Sequence, residues 1–211
     1  MRVVGGALRG RRLRGPPENV RPTSDRVRES LFAILGNLEG LAVLDLYAGT
    51  GALGIEALSR GAARVVFVDR SQRSLTVLRR NLADLGLEDR AVVIRSEVLR
   101  CLDRWNREGR EGPFELVLAD PPYADREIAR VLEALAAGHL LGAGAEVVVE
   151  SAKRNPWKPP RGFVREDERR YGDTVLTRLS VAGGSEVPPA PGRRSELEEL
   201  VGARESDEHE P

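Results

Sequence analysis

The sequence predicts an α/β fold built on a mostly parallel sheet, and three observations carry that prediction. Between Leu41 and Ser151, short apolar runs alternate with stretches of helical periodicity. The first run ends in a glycine-rich turn, and beyond Ser151 two further strand-like segments follow one another with no helix between them. Repeated strand–helix units bury a parallel sheet between two helical layers. Adjoining strands with only a turn between them close as an antiparallel hairpin.

Residues 2–14 read as a short hairpin, with Val3-Val4, a Gly5-Gly6 turn and an arginine-rich return. Pro16, Pro17 and Pro22 then break regular structure. Thr23, Ser24 or Asp25 can cap a helix whose apolar positions are Val27, Leu31, Ile34 and Leu35, ending near Gly36. "LAVLDLY" is the first strand, followed by a helix from Ala52 to Ser59, and "ARVVFVD" is the second. A helix over "SLTVLRRNLADLG" lines up Leu75, Leu78, Leu82 and Leu85 and closes at Gly86. "AVVIR", a helix over Val98–Arg107, "FELVLAD", a helix over Arg126–Ala137 and "AEVVVES" complete the alternation. "FVREDERRYG" and "DTVLTRLSV" form the closing hairpin. After Val181 the composition turns to Gly, Pro, Ser and Glu, as in a disordered acidic tail. The expected organisation is a basic N-terminal unit over residues 1–38, a main domain over 39–182 and a tail over 183–211.

Composition narrows the function. The 211 residues, 41% of them apolar, suffice for a core. No apolar run approaches the ~20 residues of a membrane span, and the N-terminus lacks a signal-peptide stretch. The one cysteine, Cys101, cannot form an internal disulfide, which fits a cytoplasmic protein. Two distant histidines cannot build a zinc-like cluster or a serine–histidine–acid triad. Net charge is zero, yet residues 1–30 carry eight arginines against three acids, and residues 185–211 carry eight acids against three arginines. A basic head suits a phosphate-rich partner. An arginine-biased composition with only two lysines, Lys153 and Lys158, accounts for it equally.

On a parallel sheet, ligands bind at the carboxyl ends of the strands. After the first strand stands Gly49-Thr50-Gly51-Ala52-Leu53-Gly54, and after the second stands Asp69, an acid placed for a ribose diol. Both features suit either a dinucleotide or S-adenosylmethionine. Asp45 separates the two, because an anion before the turn opposes a pyrophosphate but welcomes the ammonium of a methionine moiety. "LADPPY" after the fourth strand separates them further. Its two prolines remove backbone donors. What remains is the Asp120 carboxylate, the Pro121 carbonyl, the rigid Pro122 and the Tyr123 ring. Two acceptors and a stacking face suit the exocyclic amine of a nucleobase. Holding the amine hydrogens aims the nitrogen lone pair and stabilises the positive charge that builds on nitrogen.

The sequence resembles the RsmD-type family of small-subunit ribosomal RNA guanine-N2 methyltransferases. The resemblance runs over about residues 1–180, on "MRVVGGALRGRRL", "RPTSDRVRESLF", "VLDLYAGTGALGIEALSRGA", "VDRS" and "LADPPY". It implies a Rossmann-like class I methyltransferase sheet of seven strands, with S-adenosylmethionine as cofactor. It implies a cofactor site of Asp45, Tyr47, Gly49, Gly51, Asp69, Arg70, Glu97 and Val98, with Ser96-Glu97-Val98 where relatives often carry Gly-Asp-Ala. It implies catalysis by Asp120, Pro121, Pro122 and Tyr123 on a guanine 2-amino group of 16S ribosomal RNA, free or in an assembling small subunit. Arg9, Arg11 and Arg12 would contact RNA, and a cytoplasmic monomer is expected. Adenine 6-amino methylation of DNA or RNA uses the same loop chemistry, and a non-catalytic rRNA-binding protein is the alternative outside enzymes. Cys101, Trp105 and Trp157 read as packing residues.

Overall fold

The computed structural model describes residues 1–15, 25–121, 125–154 and 157–182. Among the described residues, five α-helices and seven strands follow one another in the predicted order. They are α1 (Asp25–Leu35), β1 (Ala42–Leu46), α2 (Ala52–Ser59), β2 (Arg64–Asp69), α3 (Gln72–Leu85), β3 (Ala91–Arg95), α4 (Val98–Glu108), β4 (Phe114–Ala119), α5 (Asp125–Ala136), β5 (Leu141–Ala152), β6 (Phe163–Tyr171) and β7 (Thr174–Val181). The strands form one sheet in the order β3-β2-β1-β4-β5-β7-β6. The first five pair in parallel, and β7 runs antiparallel to both β5 and β6.

Strand alternation sends side chains to two faces, and each face has its own core. Val43, Val65, Phe67, Leu116 and Leu118 meet α1, α2 and α3 on one face. Leu44, Leu46, Val66, Val117 and Val147 meet α4 and α5 on the other. Cys101 and Trp105 are buried there, as packing residues should be. Val3 and Leu13 of the N-terminal segment join the first core, so that segment is seated on the main domain.

Three local details depart from the sequence reading. First, α3 starts two residues earlier than its apolar period, because the Ser71 hydroxyl caps it by accepting the Ser74 N–H at 3.2 Å. Second, β5 starts at Leu141 and reaches full pairing only after a register shift opposite Phe114 and Leu116. Third, residues 2–14 are not a tight hairpin turning at Gly5-Gly6. Only Arg2 and Arg12 form a bridge, and the chain reverses over residues 7–10. Gly5-Gly6 instead crosses the end of α2. The Ala7 N–H donates to the Ser59 carbonyl at 2.7 Å. A Cβ on Gly6, whose φ is 73°, would overlap that carbonyl. The glycines serve close approach rather than a hairpin turn. The candidate caps Thr23 and Ser24 lie outside the described residues. Asp25 is the first helical residue, and it pairs with Arg28 at 2.8 Å.

Candidate active site

The carboxyl ends of β1, β2 and β4 lie side by side, with Leu46 opposite both Val68 and Ala119. The loop after β1 therefore sits between Asp69 and Asp120. Side chains from elsewhere hold its shape. The Asp69 carboxylate accepts the Gly49 N–H at 2.8 Å through one oxygen and the Ser71 N–H at 2.7 Å through the other. The buried Asp45 carboxylate accepts the Gly54 N–H at 2.9 Å beneath the first turn of α2. Gly51 caps α2 with φ 85°, and a Cβ there would collide with Leu78. The same position at Gly49 is open, with nothing nearer than its own loop's Tyr47 carbonyl at 3.9 Å.

Tyr47 stands out because its φ is 59°, a left-handed conformation rare for an aromatic residue. Its hydroxyl donates to Glu127 Oε1 at 2.8 Å, tying the β1 loop to α5. Its ring shares a small apolar pocket with Ala119, Pro121 and Ile128. Burial, then the bond to Glu127, raises the phenol pKa, and Arg70 opposes the shift. Arg70 and Glu97 are exposed at the ends of β2 and β3, and Val98 is buried at the start of α4.

Two acids at the strand ends, Asp45 and Asp120, sit in settings that raise their carboxyls. Burial raises the Asp45 carboxyl to about 7, against the Gly54 N–H that lowers it, and the Asp69 charge adds to the rise. Burial also raises Asp120 well above the usual carboxylate range, and the charges of Glu150 and then Asp45 push it further. Glu150 is the residue beyond Val149, which pairs with Ala119 in the β4–β5 register, so Glu150 flanks Asp120. Paired acids of this kind are a functional-site signature. Pro122 and Tyr123 lie outside the described residues. No group of three or more metal-ligating side chains occurs among the described residues.

Of the basic candidates, Arg9 and Arg12 are exposed and make no ion pair among the described residues. Arg11 is exposed as well, but its guanidinium donates to the Asp84 carbonyl of α3 at 3.0 Å.

Several residues that build the site escaped the sequence reading. Glu56 Oε2 accepts the Val4 N–H at 2.8 Å, and the Ser59 hydroxyl accepts the Leu8 N–H at 2.9 Å while donating to the Gly5 carbonyl. Asn81 holds Arg14 and Thr50. All three are buried. The available signal was a polar residue on an apolar face: Asn81 interrupts the leucines of α3, and Glu56 the apolar run of α2. Glu127 and Glu150 carried no comparable signal.

A glycine loop after β1, an acid after β2 and an Asp-Pro pair after β4 on this sheet define a class I, S-adenosylmethionine-dependent methyltransferase. The site fits the cofactor: the Gly49 side of the loop is open, and Asp69 is fixed with lone pairs to spare. The family model described as Conserved hypothetical protein 95 matches residues 1–180. The chain belongs to this family, the RsmD-type methyltransferases. It is 34% identical over 185 residues to the putative rRNA methyltransferase YlbH of Bacillus subtilis, covering 87% of this chain and 94% of the relative. It is 35% identical over 157 residues to ribosomal RNA small subunit methyltransferase D of Escherichia coli, covering 74% and 76%. Among solved structures, a putative methyltransferase, yhhF, from Escherichia coli superposes with a TM-score of 0.73 at 29% identity, covering 86% of this chain and 97% of that one.

Proposed function

We propose that the chain methylates the exocyclic 2-amino group of a guanine in 16S ribosomal RNA, free or in an assembling small subunit, as a cytoplasmic monomer. The observation that carries this reading is the placement of Asp120. Its carboxylate stands beside the glycine loop, in a half-buried, acid-rich setting at the end of β4. The names of the relatives and the match of the N-terminal segment support ribosomal RNA as substrate.

Asp45, Gly49, Gly51 and Asp69 would hold S-adenosylmethionine together with Tyr47, Arg70, Glu97 and Val98. When bound, it supplies an electrophilic sulfonium methyl. Asp120 and the Pro121 carbonyl accept the two amine hydrogens, which aims the nitrogen lone pair and stabilises the charge growing on it. Orientation supplies much of the rate. Pro122 rigidifies the loop, and Tyr123 stacks on a base that must be unpaired or flipped out. The Tyr47–Glu127 bond fixes the first turn of α5, immediately after this loop. Arg9, Arg11 and Arg12 contact phosphates, with Arg9 and Arg12 contributing most because Arg11 is engaged by α3. Residues 1–38 act as the RNA-facing cover, 39–182 as the catalytic domain, and the acidic residues 183–211 as a solubilising extension.

The test is methyl transfer from labelled S-adenosylmethionine to small subunits lacking the modification, with the nucleoside identified. Label in 2-methylguanosine is expected. Label in 6-methyladenosine would keep the amine mechanism and overturn the base assignment.

A further inference from the structure

We propose that Asn81 couples the seating of the basic N-terminal segment to the shape of the Gly49–Gly51 loop, so that RNA and cofactor strengthen each other's binding. The inference rests on the reading of that segment as an RNA contact.

Asn81 is 1% exposed at the middle of α3. Its amide is fully used. Oδ1 accepts the Arg14 N–H at 2.8 Å, while Nδ2 donates to the Arg14 carbonyl at 3.3 Å and to the Thr50 carbonyl at 3.1 Å. Among the described residues, no other side chain bonds to both the segment and the cofactor loop. Its loop contact falls on a sensitive peptide. The Thr50–Gly51 peptide is followed by Gly51 at φ 85°, where no Cβ restricts it, so backbone sterics on that side do not settle which way it faces. Its carbonyl is held by Asn81, and its N–H donates to the Ala48 carbonyl at 2.8 Å. Asn81 thus helps set the orientation of a peptide in the turn that holds the cofactor.

On the other side, Asn81 reads the backbone of Arg14 the way a neighbouring strand would, through one N–H and one carbonyl. The same stretch is fastened by the buried Leu13 and by the Arg14–Asp84 ion pair at 2.9 Å. When the segment lifts, the Asn81 amide loses two of its three partners and is free to turn, and the Thr50 carbonyl loses its fixed donor. Arg9 and Arg12 are arrayed for phosphate only while the segment is seated. RNA therefore favours the seated state, and the seated state favours the ordered loop, which is the differential affinity that coupling requires. Linkage makes the effect reciprocal.

The experiment is equilibrium dialysis of labelled S-adenosylhomocysteine against the full chain, with and without a saturating protein-free 16S rRNA transcript. RNA is expected to raise the affinity of the parent chain at least about fivefold, and Asn81→Ala to bring that factor to about one. Arg14→Ala keeps the backbone N–H and is expected to retain coupling, while Arg14→Pro removes the N–H and is expected to lose it. That surface pair decides the matter should Asn81→Ala not fold. A buried residue with a merely structural role would change stability and leave the coupling factor alone. A parent chain that binds RNA without a gain in cofactor affinity overturns the inference, as does coupling that survives Asn81→Ala or Arg14→Pro. RNA binding indifferent to a double Arg9→Gln, Arg12→Gln variant overturns the reading of the segment, and the inference with it. Coupling of about one alongside RNA binding that does respond to that variant overturns the inference alone.

Discussion

The two faces of the sheet are built from different material. Under α1, α2 and α3, the buried residues include Arg28, Thr50, Glu56, Ser59 and Asn81. Under α4 and α5, the core is Val98, Cys101, Leu102, Trp105, Ile128, Val131, Leu132 and Leu135, with no buried charged residue from either helix among the described residues. A buried polar group is costly unless its partners are in place. The polar face uses its buried groups for directional bonds that place backbone: Glu56 and Ser59 on residues 4–8, Asn81 on Arg14 and Thr50. The apolar face holds the sheet against two helices mainly with non-directional contacts, and its Tyr47–Glu127 bond reaches the site at the head of α5. One face shapes the glycine loop, and the other mainly supports it.

Four experiments would break or sharpen this division. The largest effect is expected at the carboxyl end of the central strand β4, between the two faces. Asp120→Ala should lower methyl transfer by at least about a hundredfold while leaving S-adenosylhomocysteine binding largely intact in a dialysis assay. A near-normal rate would remove Asp120 from the chemistry. Next, Leu102→Ala on the apolar face should cost about 2–5 kcal/mol in urea unfolding. Turnover per folded molecule should not change, and a raised KM for S-adenosylmethionine would mean that the supporting face shapes the site after all.

The third effect is a pH profile. In the proposed mechanism Asp120 acts ionised, since the carboxylate is what stabilises positive charge growing on the amine nitrogen, and burial with the Glu150 charge raises its pKa. Activity is therefore lost as pH falls through that raised value, so kcat/KM should climb from neutral into mildly alkaline solution. Glu150→Gln removes the like charge and should move the rise to lower pH. An unmoved profile would assign the rise to another group. The smallest effect is expected for Arg9→Gln and Arg12→Gln. Each should weaken RNA binding and flatten the log–log salt dependence by about 0.7–0.9 for every phosphate no longer neutralised. An unchanged slope would move the RNA face away from the polar side of the sheet.

Much of this architecture was legible in the sequence, for identifiable reasons. The five parallel strands announced themselves as apolar runs, because a parallel sheet covered on both faces tolerates little else, whereas the charged β6 was legible only from its place beside β7 with no helix between. Asp69 and Asp120 stood out as candidates because function on such a sheet collects at strand ends, and the structure brings both beside the loop after β1. Gly5-Gly6 misled, since a glycine pair looks the same whether it turns the chain or lets it pass close to a helix end. Only the Ser59 carbonyl distinguishes the two, and it lies far along the chain. Glu127 and Glu150 were hidden for a similar reason. Each acts across the fold, on Tyr47 and on Asp120, and no local pattern encodes a partner in another element.

The way residues 1–14 are fastened also has a consequence for the order of biosynthesis. Their anchors are Glu56, Ser59, Asn81 and Asp84, with Arg14 and Asp84 separated by 70 positions. At elongation rates of about 5–20 residues per second, the last anchor is made roughly 4–14 seconds after the stretch it must hold. Until then the arginines of that stretch have no seat on α3, so the order of synthesis presents a basic stretch before the residues that fasten it exist.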